Sequence, residues 1–100
     1  MADNDLLNIF WEEVSEYLSS LNEGLLQVEM VDGEEQHKLL TEMNRYAHSM
    51  KGAARAVGMG FIERTAHFME ELFHAALEDG FVLTPEVADS IYDGLDLIQN

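Results

Sequence analysis

The sequence predicts an all-α protein, an antiparallel up-down four-helix bundle. Three observations carry that expectation. Only one proline occurs in 100 residues, so little in the chain forbids helix. Apolar residues recur at spacings of three and four through four segments, the pattern of helices with one buried face. Glycines fall mostly between those segments, and the short connections make consecutive helices antiparallel neighbours. A strand finds little support, because Phe81-Val82-Leu83 is the only short apolar run of that flavour.

The first helix is expected from about Asn4 to Glu29, with Leu7, Phe10, Val14, Tyr17, Leu21, Leu25 and Val28 facing the core. Asp3 or Asn4 can cap its start by accepting a backbone N–H. Gly24 weakens its interior slightly, and Val31-Asp32-Gly33 ends it. The second helix runs from about Glu34 to Val57 and stops at Gly58-Met59-Gly60. The third spans about Phe61 to Glu78, with Ile62, Ala66, Met69, Phe73, Ala76 and Leu77 inward, and Asp79-Gly80 ends it. Thr84-Pro85-Glu86 starts the fourth: a hydroxyl cap, a proline at the first helical position, then an acid near the positive end of the dipole. Val87, Ile91, Leu95 and Ile98 carry that helix to the last residue without a breaker, as in a piece of a longer chain.

Composition narrows the function classes. One hundred residues with 47% hydrophobic content make one small domain with a core. The absence of cysteine excludes disulfides and thiolate metal sites and fits a reducing compartment. The start, MADNDLLNIFWEEV, lacks the basic opening of a signal peptide. No apolar run approaches membrane-spanning length. Five Lys and Arg stand against twenty Asp and Glu, net −15, which argues against nucleic acid and anionic membrane surfaces. The expected setting is cytoplasmic, and the expected state of the domain is monomeric.

Four of the five basic residues lie between Lys38 and Arg55, with His48 in their middle. On a helix Arg55 lies about 20° from His48, Lys51 and Arg45 about 60°, and Lys38 about 80°. Thr41, Asn44 and Gly52 fall within about 40°. Leu39, Met43, Tyr46, Met50 and Val57 fall within about 40° of the far side. His48 is therefore expected at the centre of a wet face. A surface histidine usually does nothing, and only these neighbours single it out. On the third helix Glu63, His67, Glu70, Glu71 and His74 share one flank. Counting from Met59 as the pivot of a hairpin levels Glu70 with His48, and His67 with Lys51.

A carboxylate accepting from one ring nitrogen fixes the tautomer of an imidazole and leaves the other nitrogen outward. Lys51, Arg45 and Arg55 can stabilise incoming phosphate oxygens. Gly52 leaves no side chain above the ring on the next turn. Nucleophile, orienter, cation and clearance together suit phosphoryl transfer to histidine better than hydrolysis.

Ala47-His48-Ser49-Met50-Lys51-Gly52-Ala53-Ala54, followed by Val57-Gly58, resembles the phosphoacceptor motif of histidine phosphotransfer (HPt) domains. Phe10-Trp11-Glu12-Glu13, Thr65 to Leu72, Leu77-Glu78-Asp79-Gly80 and Thr84-Pro85 look like the N-terminal HPt domain of CheA-type chemotaxis histidine kinases. The resemblance covers nearly the whole chain. It implies an HPt-like bundle, with the family's usual fifth helix absent or truncated, as a single domain over residues 1–100 at the start of a longer histidine kinase. It implies that His48 is phosphorylated at Nε2, that Glu70 holds the other ring nitrogen, and that Lys51 and His67 complete a hydrogen-bonded network. Gly52, with Ser49, Arg45 and Arg55 around it, would meet partner domains. Those partners would be a kinase catalytic domain, which holds the ATP, and response-regulator receivers. The domain itself would bind no cofactor and would be substrate and carrier, the parent chain being the protein-histidine kinase.

Other readings compete. A metal could sit on His67, Glu70, Glu71 and His74, but carboxylates are so abundant here that such spacing arises by chance. No metal site is expected, and chelator should leave melting unchanged. A plain interaction module would use the six methionines with Trp11 or Phe68, yet methionines at core spacing usually pack. His37 and His74 read as bland surface residues, and Tyr46, Leu21 and Leu25 as core. A stand-alone phosphorelay carrier is the remaining alternative.

Overall fold

A computed structural model describes residues 2–78 and 84–99. It contains four helices, α1 (Ala2–Val28), α2 (Gly33–Ala56), α3 (Gly60–Glu78) and α4 (Pro85–Gln99), and no strand among the described residues. Asp79-Gly80 and Phe81-Val82-Leu83 lie outside them. The body measures 48 × 22 × 19 Å. α2 packs most extensively on α3 and next on α1, while α4 closes the ring more lightly against α1 and α3. No helix among the described residues is long and apolar enough to cross a membrane.

The core follows the helical period. Phe10, Val14, Leu18, Leu21, Leu25 and Val28 of α1 meet Leu40, Met43, Ala47, Met50 and Ala54 of α2. Ile62, Ala66, Met69 and Phe73 of α3, with Ile91, Leu95 and Ile98 of α4, complete it. Leu18, Leu40, Ala47, Ala54 and Ala88 are buried beyond the set read from the sequence. Leu7, Tyr17, Ala76, Leu77 and Val87 are only half-buried, at the margins of their stripes. Helix α1 begins at Ala2, so Asp3 and Asn4 fall inside its first turn rather than at the cap. Nothing before them stops a helix, and acids are favoured in a first turn.

The turns have identifiable chemistry. Gly33 at φ 58° and Gly58 at φ 75° take the left-handed conformation that glycine tolerates best. At the end of α2, Gly58 N–H donates to Arg55 C=O (3.2 Å) and Met59 N–H to Ala54 C=O (2.9 Å). This paired arrangement satisfies the carbonyls left open by the last turn. The side chain of Gln36 donates to Val28 C=O (3.2 Å) and Val31 C=O (3.3 Å), tying the end of α1 to the start of α2. Thr84 caps α4 as the sequence predicts, its hydroxyl accepting from Val87 N–H at 3.3 Å. Gly24 has a sharper role than expected: a Cβ there would sit 2.7 Å from Met43 Sδ and 2.8 Å from Met43 Cγ. The missing side chain is what lets α1 approach α2 at that level.

Candidate functional site

Hairpin geometry builds the site. The tight turn from Val57 to Met59 folds α3 back along α2, so residues equally far from the turn come level. Arg55 Nε donates to Glu63 Oε2 at 2.7 Å, a clasp about one turn above the bend. Further along, Glu70 reaches α2 and accepts two hydrogen bonds. His48 Nδ1 lies 2.5 Å from its Oε2, and Lys51 Nζ lies 2.6 Å from its Oε1.

The sequence places His48 opposite the buried stripe, and the structure corrects this. The buried residues of α2 centre about 120° round the helix from His48, not 180°. Ala47 and Ala54 cause the rotation. Their small side chains are fully buried and let α3 close in, while Leu39, Tyr46 and Val57 stay half-buried at the other margin. His48 therefore stands beside the α2–α3 groove. Lys51 and Asn44 occupy the flank next to α3, and Arg45 occupies the opposite flank.

That rotation sorts the basic residues. Lys51 is largely sheltered and bound to Glu70. Arg45 is exposed and lies over the Tyr46 ring, 5.6 Å from its centroid. Arg55 is committed to Glu63. Lys38, expected on the same wet face, lines a cleft by the α1–α2 turn, roughly 15 Å along the helix from His48. Ser49 is half-buried, about 100° round from His48 and away from α3. Gly52 is exposed, and a Cβ added there would meet nothing within 4 Å. His67 is level with this site, but its Nε2 lies 3.3 Å from Glu71 Oε1, one turn along its own helix. His67, His74, Glu70, Glu71 and Asn44 line a cleft of about 320 Å³ beside the site. Asn44, which the sequence left without a role, buries its Oδ1 with no hydrogen-bond partner. No three potential metal ligands converge among the described residues.

The electrostatics follow. Burial opposes the charge on Glu70, but the hydrogen bonds from Lys51 and His48, with their positive charge, outweigh it and hold the carboxyl below its ordinary value. An ionised carboxylate only accepts. Nδ1 of His48 therefore carries the shared hydrogen, and in the neutral ring the lone pair resides on Nε2. The side chain of His48 is 67% exposed while that of Glu70 is 17% exposed, so the orienting group is sheltered and the ring is open.

Comparison with known sequences matches this arrangement to a family. The Hpt domain model covers residues 5–100. The chain belongs to the Hpt domain family. It is 32% identical over 96 residues to the chemotaxis protein CheA of Halobacterium salinarum, covering 96% of this chain and 14% of that protein. The CheA of Listeria monocytogenes is 32% identical over 88 residues, covering 88% of this chain and 14% of the relative. The CheA of Salmonella typhimurium is 29% identical over 101 residues, 99% of this chain and again 14% of the relative. The chain thus spans about one-seventh of the length of the curated relatives it matches. No solved structure matches it significantly. Among the described residues of this Hpt domain, the one imidazole held by a carboxylate of a neighbouring helix is His48.

Proposed function

We propose that this Hpt domain carries a phosphoryl group on His48 within a chemotaxis-type signalling kinase. The observation that carries this reading is the chain Lys51–Glu70–His48, which fixes Nδ1 and turns Nε2 outward on an open ring. In the first step the Nε2 lone pair attacks the γ-phosphorus of ATP held by a separate kinase domain. A P–N bond forms, the P–O bond to ADP breaks, and ADP leaves. In the second, a receiver aspartate of a response regulator attacks the same phosphorus. The P–N bond breaks and the imidazole regains its lone pair. Lys51 and the carboxylate orient the ring, and exposed Arg45 supplies positive potential for approaching phosphate, while Arg55 is held by Glu63. Gly52 leaves room for the partner's surface one turn from the ring. His67 borders the same cleft, where it meets Glu71 of its own helix rather than His48. ATP and these partners place the reaction in the cytoplasm.

The test is phosphorylation by ATP and a kinase core of the CheA type. The expected product is acid-labile and base-stable, and His48→Gln removes it while the helical circular dichroism persists. Labelling that survives His48→Gln would show that the phosphorylated residue lies elsewhere.

A further inference from the structure

Helix α3 carries a second pattern, on the side that the phosphoacceptor site does not use. Phe61, Thr65, Phe68, Leu72 and Ala75 recur at alternating spacings of four and three, the repeat along which two helices pack in a seam. Phe61 and Phe68 are each 48% exposed. The other three are half-buried. Gly94 of α4 abuts Thr65, where an added Cβ would sit 3.1 Å from the threonine methyl. Leu97, one turn further along α4, is 62% exposed and extends the patch. Phe68 lies about 160° round α3 from Glu70, so the stripe and His48 occupy different sides of the bundle.

The charges beside this stripe select an occupant. Arg64 and Glu71 are one heptad apart and border the stripe on the same flank. Both are exposed. Arg64 has no carboxylate within ion-pair reach among the described residues. The other flank is formed by Ile62 and Met69, which are buried in the domain's own core. A second α3 lying parallel would set Arg64 against that apolar flank. An antiparallel α3 brings like flank to like flank, so that each Arg64 faces the other copy's Glu71.

We propose that the outer face of α3 is a self-association surface, on which two copies of this chain pair antiparallel about a two-fold axis beside Thr65 and Phe68. Phe68 of each copy then packs over Thr65 of the other, and Phe61 over Leu72. Two Arg64–Glu71 pairs flank the apolar seam. The two-fold closes the assembly at a dimer. A single-helix seam covers less than the roughly 800 Å² per partner of a standard interface, and a net charge of −15 on each copy opposes contact. Pairing accordingly belongs at about 0.1–1 mM. The domain is a monomer when dilute, and the monomer expected from the sequence gives way only on concentration. His48 stays open in both copies.

Sedimentation equilibrium of the chain from about 10 µM to about 1 mM, at fixed salt, tests this. The average mass is expected to climb toward twice the monomer. Amide NMR shifts on dilution should centre on Phe61, Thr65, Phe68 and Leu97. Phe68→Glu should keep its helical content and stay monomeric, because that ring is not in the core. Arg64→Glu should weaken pairing by roughly tenfold, and adding Glu71→Arg to it should restore most of the loss. A wild-type mass that stays monomeric throughout overturns the pairing. A dimer that survives Phe68→Glu overturns the assigned surface, and a double variant no tighter than Arg64→Glu overturns the antiparallel register.

Discussion

Glu70 accepts hydrogen bonds from His48 and Lys51 of α2, and this gives the domain an acid sensitivity with a definite sign. Its folded carboxyl holds charge to lower pH than the same group in the unfolded chain. As pH falls, the unfolded chain therefore takes up this proton first. The stability contributed by Glu70 is complete above the ordinary glutamate value of about 4.3 and drains away as pH drops through that value toward the lowered one. Glu70→Gln should thus be less stable than wild type at pH 7 in urea titration, with the gap narrowing below about pH 4. A gap of constant size across that range would mean that the carboxylate's charge contributes nothing. Phosphorylation of the variant should slow without stopping, because in the proposed reaction Glu70 positions the nucleophile and is not itself the nucleophile. The pairing of His48 with Glu70 was legible because counting from Met59 gives their common level. The partner of His67 was not, because level along a bundle does not fix angle about a helix. The same gap separates Lys51, which turns toward α3, from Arg45, which turns away.

Two glycines inside helices make opposite predictions. Gly52 stands on the exposed side of α2 with open space around it. Gly52→Ala should raise stability by up to about 1 kcal/mol through helix propensity. It should also slow transfer to a receiver, since the new methyl stands one turn from His48. A rise in urea midpoint with undiminished transfer would remove the clearance role. Gly24 lies where α1 and α2 touch, and its added methyl would collide with Met43, a residue buried to 1% exposure. Gly24→Ala should destabilise by about 1–3 kcal/mol despite its better helix propensity, because overpacking a filled core forces displacement. A Gly24→Ala variant as stable as wild type would show that Met43 repacks freely. Sequence spacing alone gives Gly24 a mild helix-weakening role and Gly52 clearance beside His48, and the close packing at Gly24 was hidden because Met43 lies on the neighbouring helix. Helix number, breaks and the Thr84 cap were legible, since each depends on residues close in the chain. The rotation of α2 was not, because Ala47 and Ala54 count little in a hydrophobic pattern and a great deal in how near α3 can come.

Charge is segregated across the whole molecule, and this governs its response to salt. All five Lys and Arg lie on α2 and α3, while α1 and α4 carry none. Lys51 and Arg55 are spent on Glu70 and Glu63, and the carboxylates described on α1 and α4 face solvent with no cation on their own helices. A net charge of −15 on a chain of this size favours the expanded state, which sets like charges further apart. Salt works against that repulsion over a screening length that falls from about 30 Å at 0.01 M to about 10 Å at 0.1 M. Screening also weakens the Lys51 and Arg55 pairs, but these are two short contacts against many longer-range repulsions, and short partly sheltered pairs are screened least. Stability should therefore rise with ionic strength. Between about 0.01 M and 0.5 M sodium chloride at pH 7, a gain on the order of 1 kcal/mol should appear as a melting temperature higher by about 4–8 °C. A melting temperature that is flat or falling over that range would mean that the few attractive pairs around His48 outweigh the acid excess of the outer helices.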